Sequence, residues 1–485
     1  MKKEIRDKYQ EVIGLEIHVQ LLTKTKAYSG DPNEYGALPN TNVSVITLAH
    51  PGTLPRSNKG VFDYAIKLGL ACGCEITEYN YYDRKNYFYP DLPKGYQLTQ
   101  DNTPICVGGS IPITTKSGVK KDVSLHRIHM EEDAGKSMHL DGETETLVDL
   151  NRAGVPLLEI VTDPDINSSE QAYALLGEIR KLVRYLGICD GNMEEGSMRC
   201  DANISIMPKG STTLGQKVEI KNMNSVRNVQ RAIEHEIERQ ILMTENNEEI
   251  VSETRLFDAV HGTTHSMRTK EGLNDYRYFP EPDLQPVVVT KKWIEEIQAS
   301  MPPLPRELVQ KFVEEYGLPE YDAYVLTDQK EVALYFEELC HKTKNYKAAS
   351  NWVMGPVKSY LNELTLHISE FSLKTDKIAE IIALVDENKV SHSAATQKLF
   401  LAMINEPTAD ALELATKLNI VQDSNEDSIQ SVIDEVIAQF PDKVAAYKNG
   451  KKGIVGMFMG EVMKRSKGKA DPKKANQMIQ QSLDQ

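Results

Sequence analysis

Cysteine is scarce: 485 residues hold six, Cys72, Cys74, Cys106, Cys189, Cys200 and Cys340. Thiols so spaced, without two CxxC pairs, exclude a disulfide framework and a zinc ribbon. Long apolar runs are missing too. No stretch of about 18 residues is apolar throughout, and MKKEIRDKYQEV at the start lacks the apolar core of a secretory leader. No membrane partner is expected, and the cytoplasm is the expected location. Basic charge is in deficit, with 56 Lys and Arg against 71 Asp and Glu for a net charge of −15. That excludes nucleic-acid binding by bulk charge, DNA included, so any basic surface must be local. A phosphate-cradling loop is incomplete, because Gly135-Lys136-Ser137 ends a GxxxxGK[ST] pattern whose first position is Met130. HExxH and GxSxG are absent as well, which excludes the commonest zinc-hydrolase and serine-hydrolase signatures. The length allows two or three domains, each with its own core.

What the chain has instead is a concentration of ionisable groups. In LHRIHMEEDAGKS, residues 125–137, two histidines, three consecutive acids and a lysine stand together. As an extended strand, this puts His129, Glu131 and Asp133 on one face with Arg127, and His126, Ile128, Met130 and Glu132 on the other. On its own the stretch reads first as solvated surface, since charge runs usually are. Other strands change that. In EVIGLEIHVQL the residues Ile13, Leu15, Ile17, Val19 and Leu21 form an apolar face opposite Gly14, Glu16, His18 and Gln20. RCDANISI sets Ala202, Ile204 and Ile206 against Arg199, Asp201, Asn203 and Ser205, and KVEIK sets Val218 and Ile220 against Lys217, Glu219 and Lys221. An antiparallel sheet with one packed and one open face would gather these groups into a site. Carboxylates with imidazole suit a hard divalent ion such as Mg²⁺, which makes phosphoryl transfer the leading chemistry.

Three further stretches carry chemistry. The loop YDRKNYFYPDLPKGYQ, residues 82–97, offers Arg84, Lys85 and Lys94 for phosphates and tyrosines for a base or ribose; it reads equally as a rigid structural loop. Glu159 sits among Leu157, Leu158, Ile160 and Val161, where a carboxylate is costly unless paired or metal-bound, so it is either a ligand or the partner of Arg152. MEEGSMRCDANIS, KNMNS and DYRYFPEPD add Glu194, Glu195, Arg199, Asp201, Asn203, Lys221, Tyr276, Arg277 and Glu281.

Short strands broken by Gly, Pro and Asn, with helices expected over 61–71, 170–187 and 226–243, give residues 1–292 an α+β pattern. From Trp293 onward the pattern is helical, with breaks at Met301–Pro305 and Asn405–Thr408, which predicts domains at 293–405 and 406–485. Between 448 and 474 nine Lys and Arg face only Glu461 and Asp471. Ile454, Val455, Met457, Phe458 and Val462 argue that this basic end is folded, and an RNA backbone is its natural partner.

GLEIHVQL, DRKNYFYPDLPKGYQ, HMEEDAGK, DLNRAGVPLLEIV, MEEGSMRCDANIS, KNMNS and DYRYFPEPD, in that order, closely resemble the B subunits of the tRNA-dependent amidotransferases, the GatB family. NWVMG at 351–355 and the basic tail are similar as well. The resemblance implies a mostly antiparallel-sheet cradle like that of glutamine synthetase, then an all-α helical domain and a YqeY-like tail. It implies a ligase that uses ATP and Mg²⁺ to phosphorylate the side-chain carboxylate of Glu-tRNA(Gln), Asp-tRNA(Asn) or both, then forms the amide with ammonia from a partner. The implied partners are the amidase-like A subunit (GatA), the small C subunit (GatC) and misacylated tRNA. Glu16, His18, Glu131 and Glu159 are the implied metal ligands. Glu131, Glu132, Asp133, Lys136, Arg199 and Lys221 are the implied catalytic set, with Arg84, Lys85, Lys94, Asp201 and Asn203 toward ATP. Lys451, Lys452, Lys464, Arg465, Lys467 and Lys469 are implied tRNA contacts. Many members bind zinc through cysteines after the first strand. Here KAYSGDPNEYGALPNTNVSVITL has Ser29, Ser44 and Thr47 instead, so no zinc is expected. Two other readings stay open: a stand-alone ligase on free glutamate, against which the basic tail argues, and a non-catalytic RNA-binding adapter, against which the recurring polar strand faces argue.

Overall fold

From Ile13 onward the strand Tyr9–Gln20 carries apolar residues at every second position, and that parity decides the architecture around it. Ile13, Ile17 and Val19 are fully buried and Leu15 nearly so, while Gly14, Glu16, His18 and Gln20 stay partly open. Each such side chain taken from water contributes roughly 1.5–3 kcal/mol before chain entropy is counted, so a register slip of one residue would cost the whole apolar face. The strand is central in a ten-stranded sheet. Along the sheet the order is Thr263–Thr269, Glu253–Asp258, Val218–Met223, Met198–Pro208, Tyr9–Gln20, Pro156–Thr162, Lys120–Glu132, Cys106–Val107 and Glu75–Ile76, with Ser110–Thr114 also on Lys120–Glu132. All its pairings are antiparallel except that of Val218–Met223 with Glu253–Asp258.

The computed structural model describes all residues except 1, 141, 143, 270–275, 423–425, 467–469, 471 and 485. It divides into two units, Met1–Leu304 and Pro305–Gln485. In the first, helices Lys59–Ala71, Ser169–Tyr185 and Val226–Glu245 lay their apolar stripes into the core formed by the sheet's packed face. They match the three expected helices to within two residues at either end. Each starts at a side-chain cap: Asn58 accepts from Gly60 N, Ser168 from Gln171 N and Ser225 from Asn228 N. The helix Lys291–Ala299 also packs here, where Trp293 Nε1 donates to Asp63 Oδ1 at 2.8 Å and its ring meets Phe62.

The second unit is helical, and its helices from Glu426 to Asp484 gather a core of their own around Ile433, Val436, Phe458, Val462 and Ile479. The helix Ala411–Lys417 is capped by Asp410, whose carboxylate accepts from the Leu412 and Glu413 amides. Among the described residues no helix is long and apolar enough to cross a membrane.

Candidate active site

Antiparallel register turns the polar parity of single strands into rows across the open face. His129 lies opposite Glu159, Glu159 opposite His18, and His18 opposite Arg199, so one row crosses four strands. Two residues earlier in Tyr9–Gln20, Glu16 lies opposite Asp201, and on the next pair of strands Asn203 lies opposite Glu219.

The first row makes a tight cluster. Ligand atoms of His18, Glu131 and Glu159 all lie within 4.8 Å of one another. His18 Nε2 is 3.3 Å from Glu159 and 3.9 Å from Glu131. His129 Nε2 stands between the same carboxylates, 3.1 Å from Glu131 and 3.2 Å from Glu159. The stretch 128–133 is not surface: His129, Glu131, Glu132 and Asp133 are each at most 4% exposed. Burial opposes protonation of His129, but hydrogen bonds to Glu131 and Glu159 outweigh it and carry the imidazole up to about 9. Burial likewise disfavours the Glu159 carboxylate, yet hydrogen bonds from His129 and His18 hold it well below the usual range.

The second row makes another. Ligand atoms of Glu16, Asp201 and Glu219 also lie within 4.8 Å of one another. Asn203 Nδ2 donates to Glu16 at 2.8 Å, and Lys221 pairs with Asp201 and, at 3.0 Å, with Glu219. Burial, then the like charge of Glu159, push Glu16 up against the Asn203 amide, and Glu219 and Asp201 add to the rise. Among the described residues, the buried Asn203 Oδ1 has no hydrogen-bond partner. Three carboxylates against one lysine, and two carboxylates with imidazole nitrogen, are donor sets that fit hard divalent cations. The four sequence-derived ligands thus divide between two clusters, His18, Glu131 and Glu159 in one and Glu16 in the other.

The cations separate just as sharply. Lys85 Nζ stands 5.1 Å from the Tyr276 ring centroid. Burial lowers its proton affinity, but the fields of Glu131 and Glu159 more than restore it. Arg199 donates to Asp133 Oδ2 at 2.8 Å, and its buried Nε has no partner among the described residues. Asp133 also accepts from Gln20 at 2.8 Å and lies 3.6 Å from Arg152, so it anchors the arginines. Arg152 donates through Nε to the Ala134 carbonyl and through Nη2 to that of Gly135, and among the described residues Glu159 pairs with the two histidines.

Other sequence candidates are placed elsewhere. Strand alternation turns Glu132 away from Glu131, to accept from the Leu98 amide at 2.8 Å and Lys94 at 2.7 Å; Lys94 also donates to Tyr28 Oη. Arg84 forks onto Glu281 at 2.7 Å through both Nε and Nη2 and reaches Asp283 at 3.0 Å. Lys136 is exposed on the separate hairpin of Lys136–His139 with Thr146–Asp149. Its neighbour Gly135 serves a crossing, since a Cβ there would meet the Asp149 and Asp91 carbonyls at 2.9 and 3.0 Å. Glu194 and Glu195 lie exposed in a turn. In the tail, Lys451 and Lys464 are exposed, Lys452 pairs with Asp484 at 3.0 Å and Arg465 lies 3.5 Å from Glu435. Lys467 and Lys469 fall outside the described residues. His129 and Glu219 complete the clusters although the sequence pattern did not single them out as ligands; the same parity marks both.

Comparison with known proteins identifies the family. A family model for the GatB/GatE catalytic domain matches residues 11–295, and one for the GatB domain matches residues 334–483. The chain is 46% identical over 471 residues to a protein of Thermodesulfovibrio yellowstonii, covering 97% of this chain and 98% of that one. It is 47% identical over 477 residues to one of Pelodictyon phaeoclathratiforme, covering 98% and 100%. Both relatives are named as the B subunit of an aspartyl/glutamyl-tRNA(Asn/Gln) amidotransferase. On matches of this extent, the chain belongs to the GatB family of amidotransferase B subunits.

Proposed function

We propose that this chain is the kinase and transamidase half of a tRNA-dependent amidotransferase. It takes Glu-tRNA(Gln), Asp-tRNA(Asn) or both, phosphorylates the side-chain carboxylate with ATP, and converts the acyl phosphate to the amide. The observation that carries this reading is the pair of oxygen-rich clusters on one open sheet face, His18–Glu131–Glu159 and Glu16–Asp201–Glu219, flanked by Lys85, Arg199 and Lys221. Mg²⁺ held by those residues would supply charge neutralisation for the phosphates. Lys85, Arg199 and Lys221 add fixed positive charge beside them, and the sheet holds these groups in place before the substrates arrive.

In the first step a carboxylate oxygen of the amino acid attacks the γ-phosphorus and ADP leaves. In the second, ammonia attacks the acyl carbon, inorganic phosphate leaves with the former carboxylate oxygen, and a proton goes to solvent. Ammonia is assigned to an amidase-like A subunit, with a small C subunit completing the heterotrimer. In support, all six cysteines are buried, and burial pushes the thiols of Cys74 and Cys189 up to about 11 and that of Cys340 to about 12, which disfavours the thiolate that glutamine hydrolysis by a cysteine would need. The basic surface at Lys451, Lys452, Lys464 and Arg465 is assigned to the tRNA backbone, and the setting to the cytoplasm. The experiment follows ¹⁸O in the assembled complex: label placed in the side-chain carboxylate of misacylated tRNA should appear in released phosphate. Phosphate free of label would exclude the acyl phosphate.

A further inference from the structure

We propose that Gln97 and Thr99, on a strand outside the main sheet, are positioning residues that fix the rotation of the Glu131 carboxylate. Their strand, Tyr96–Thr99, pairs with Asp83–Asn86 in a small sheet of its own, not with Lys120–Glu132. Side chains two apart share a strand face, and these two converge on one carboxylate. Thr99 Oγ1 donates to Glu131 Oε1 at 2.8 Å, and Gln97 Nε2 donates to Oε2 at 3.1 Å. The Gln97 amide is itself fixed: its Nε2 also donates to the Glu132 carbonyl at 2.8 Å, and its Oε1 accepts from Tyr87 Oη at 3.4 Å. Both donors are buried, Gln97 9% exposed and Thr99 3%.

The physical need is plain. Glu131 faces the like charge of Glu159, and the two histidines stand unequally close to its two oxygens, His129 3.1 Å from Oε1 and His18 3.9 Å from Oε2. Without fixed donors the carboxylate could rotate between the two imidazoles. One neutral donor on each oxygen holds the plane of the group without adding a positive charge that would compete with a cation. Outer partners of a ligating carboxylate typically contribute 10- to 100-fold in metal affinity. Gln97 also explains part of the aromatic loop, since Tyr87 reaches the cluster through this amide.

The inference rests on the reading of Glu131 as a cation ligand, and the test separates the two. Mn²⁺ is titrated into the full chain and followed by electron paramagnetic resonance, for the native protein and for Thr99→Val, Thr99→Ser, Gln97→Met and Glu131→Gln. Thr99→Val and Gln97→Met should each weaken one Mn²⁺ site by roughly 10- to 100-fold, Thr99→Ser should restore it, and Glu131→Gln should abolish it. Native binding in Thr99→Val and Gln97→Met beside loss in Glu131→Gln would overturn the positioning role and leave the site standing. Native binding in Glu131→Gln would overturn the metal reading itself. If Thr99→Val weakens Mn²⁺ and the thermal transition together and Thr99→Ser restores neither, the hydroxyl is structural and the proposal falls.

Discussion

Thr47→Val tests how the long segment after the first strand is held. Where relatives of this family are expected to place cysteines, this chain builds a knot of oxygens. The Thr47 hydroxyl donates to Asp31, the Ser44 amide donates to the same Oδ2 at 2.9 Å, and Ser29 Oγ lies 3.2 Å from Thr47 Oγ1. Thr47 is fully buried, and Asp31 and Ser29 are each 8% exposed. Hydroxyls around one carboxylate are not the thiolate and imidazole donors of a structural zinc site. Burial alone would raise Asp31, but the Thr47 hydroxyl, then the Ser44 amide, overcome it and leave the carboxyl below its ordinary value. Valine keeps the shape and removes the hydroxyl. A hydrogen bond to a buried charge is worth about 1.5–3 kcal/mol, so Thr47→Val should destabilise the folded chain by about 2 kcal/mol near pH 7, about 30-fold in the unfolding equilibrium. Because the folded carboxyl titrates below the unfolded one, its contribution is complete above the ordinary carboxylate range and is lost as pH falls through the folded value. The gap between native and variant should therefore narrow in acid. Urea unfolding from pH 7 downward, with and without EDTA, measures both. An unchanged midpoint in Thr47→Val, or unfolding of the native chain by EDTA alone, would refute the hydrogen-bond account.

The Lys85 ammonium makes no side-chain hydrogen bond or ion pair among the described residues; it stands over the Tyr276 ring in the fields of Glu131 and Glu159. Lys85→Met should cut amide formation about 10²- to 10³-fold with the thermal transition unchanged, while Lys136→Met on its exposed hairpin should change it about twofold at most. In the tail, replacing Lys451 and Lys464 by alanine should weaken tRNA binding and lower the salt dependence of log K by roughly one per lysine. Replacing Lys452, already neutralised by Asp484 at 3.0 Å, should do less. Filter binding across a salt series reads both.

Much of the site was legible because strand parity is local: Glu16, His18, Asp201 and Glu131 stand out by alternation along their strands, and Glu159 as a lone carboxylate in an apolar run. What parity cannot give is register. That Glu16 joins Asp201 and Glu219, apart from His18 and Glu131, depends on which residues of Tyr9–Gln20 and Met198–Pro208 lie opposite each other. The fate of the loop cations was hidden for another reason. Arg84 is taken by Glu281, brought beside it by the pairing of Phe279–Pro280 with Asp83 and Arg84 from a remote part of the chain. Lys94 is taken by Glu132 across a strand boundary. Gln97 and Thr99 left no mark, since their partner lies on a strand with which theirs shares no ladder.

We propose the Glu131 cluster as the centre of the tRNA-dependent amidation. The most direct measurement supplies the chain with its A and C subunits, ATP, Mg²⁺, ammonium and misacylated tRNA, and compares amide formation by the native complex and by Glu131→Gln. Amide is expected from the native complex, none from the variant, and equal tRNA binding by both. Equal amide formation by both would contradict the proposal and move the chemistry to another part of the complex.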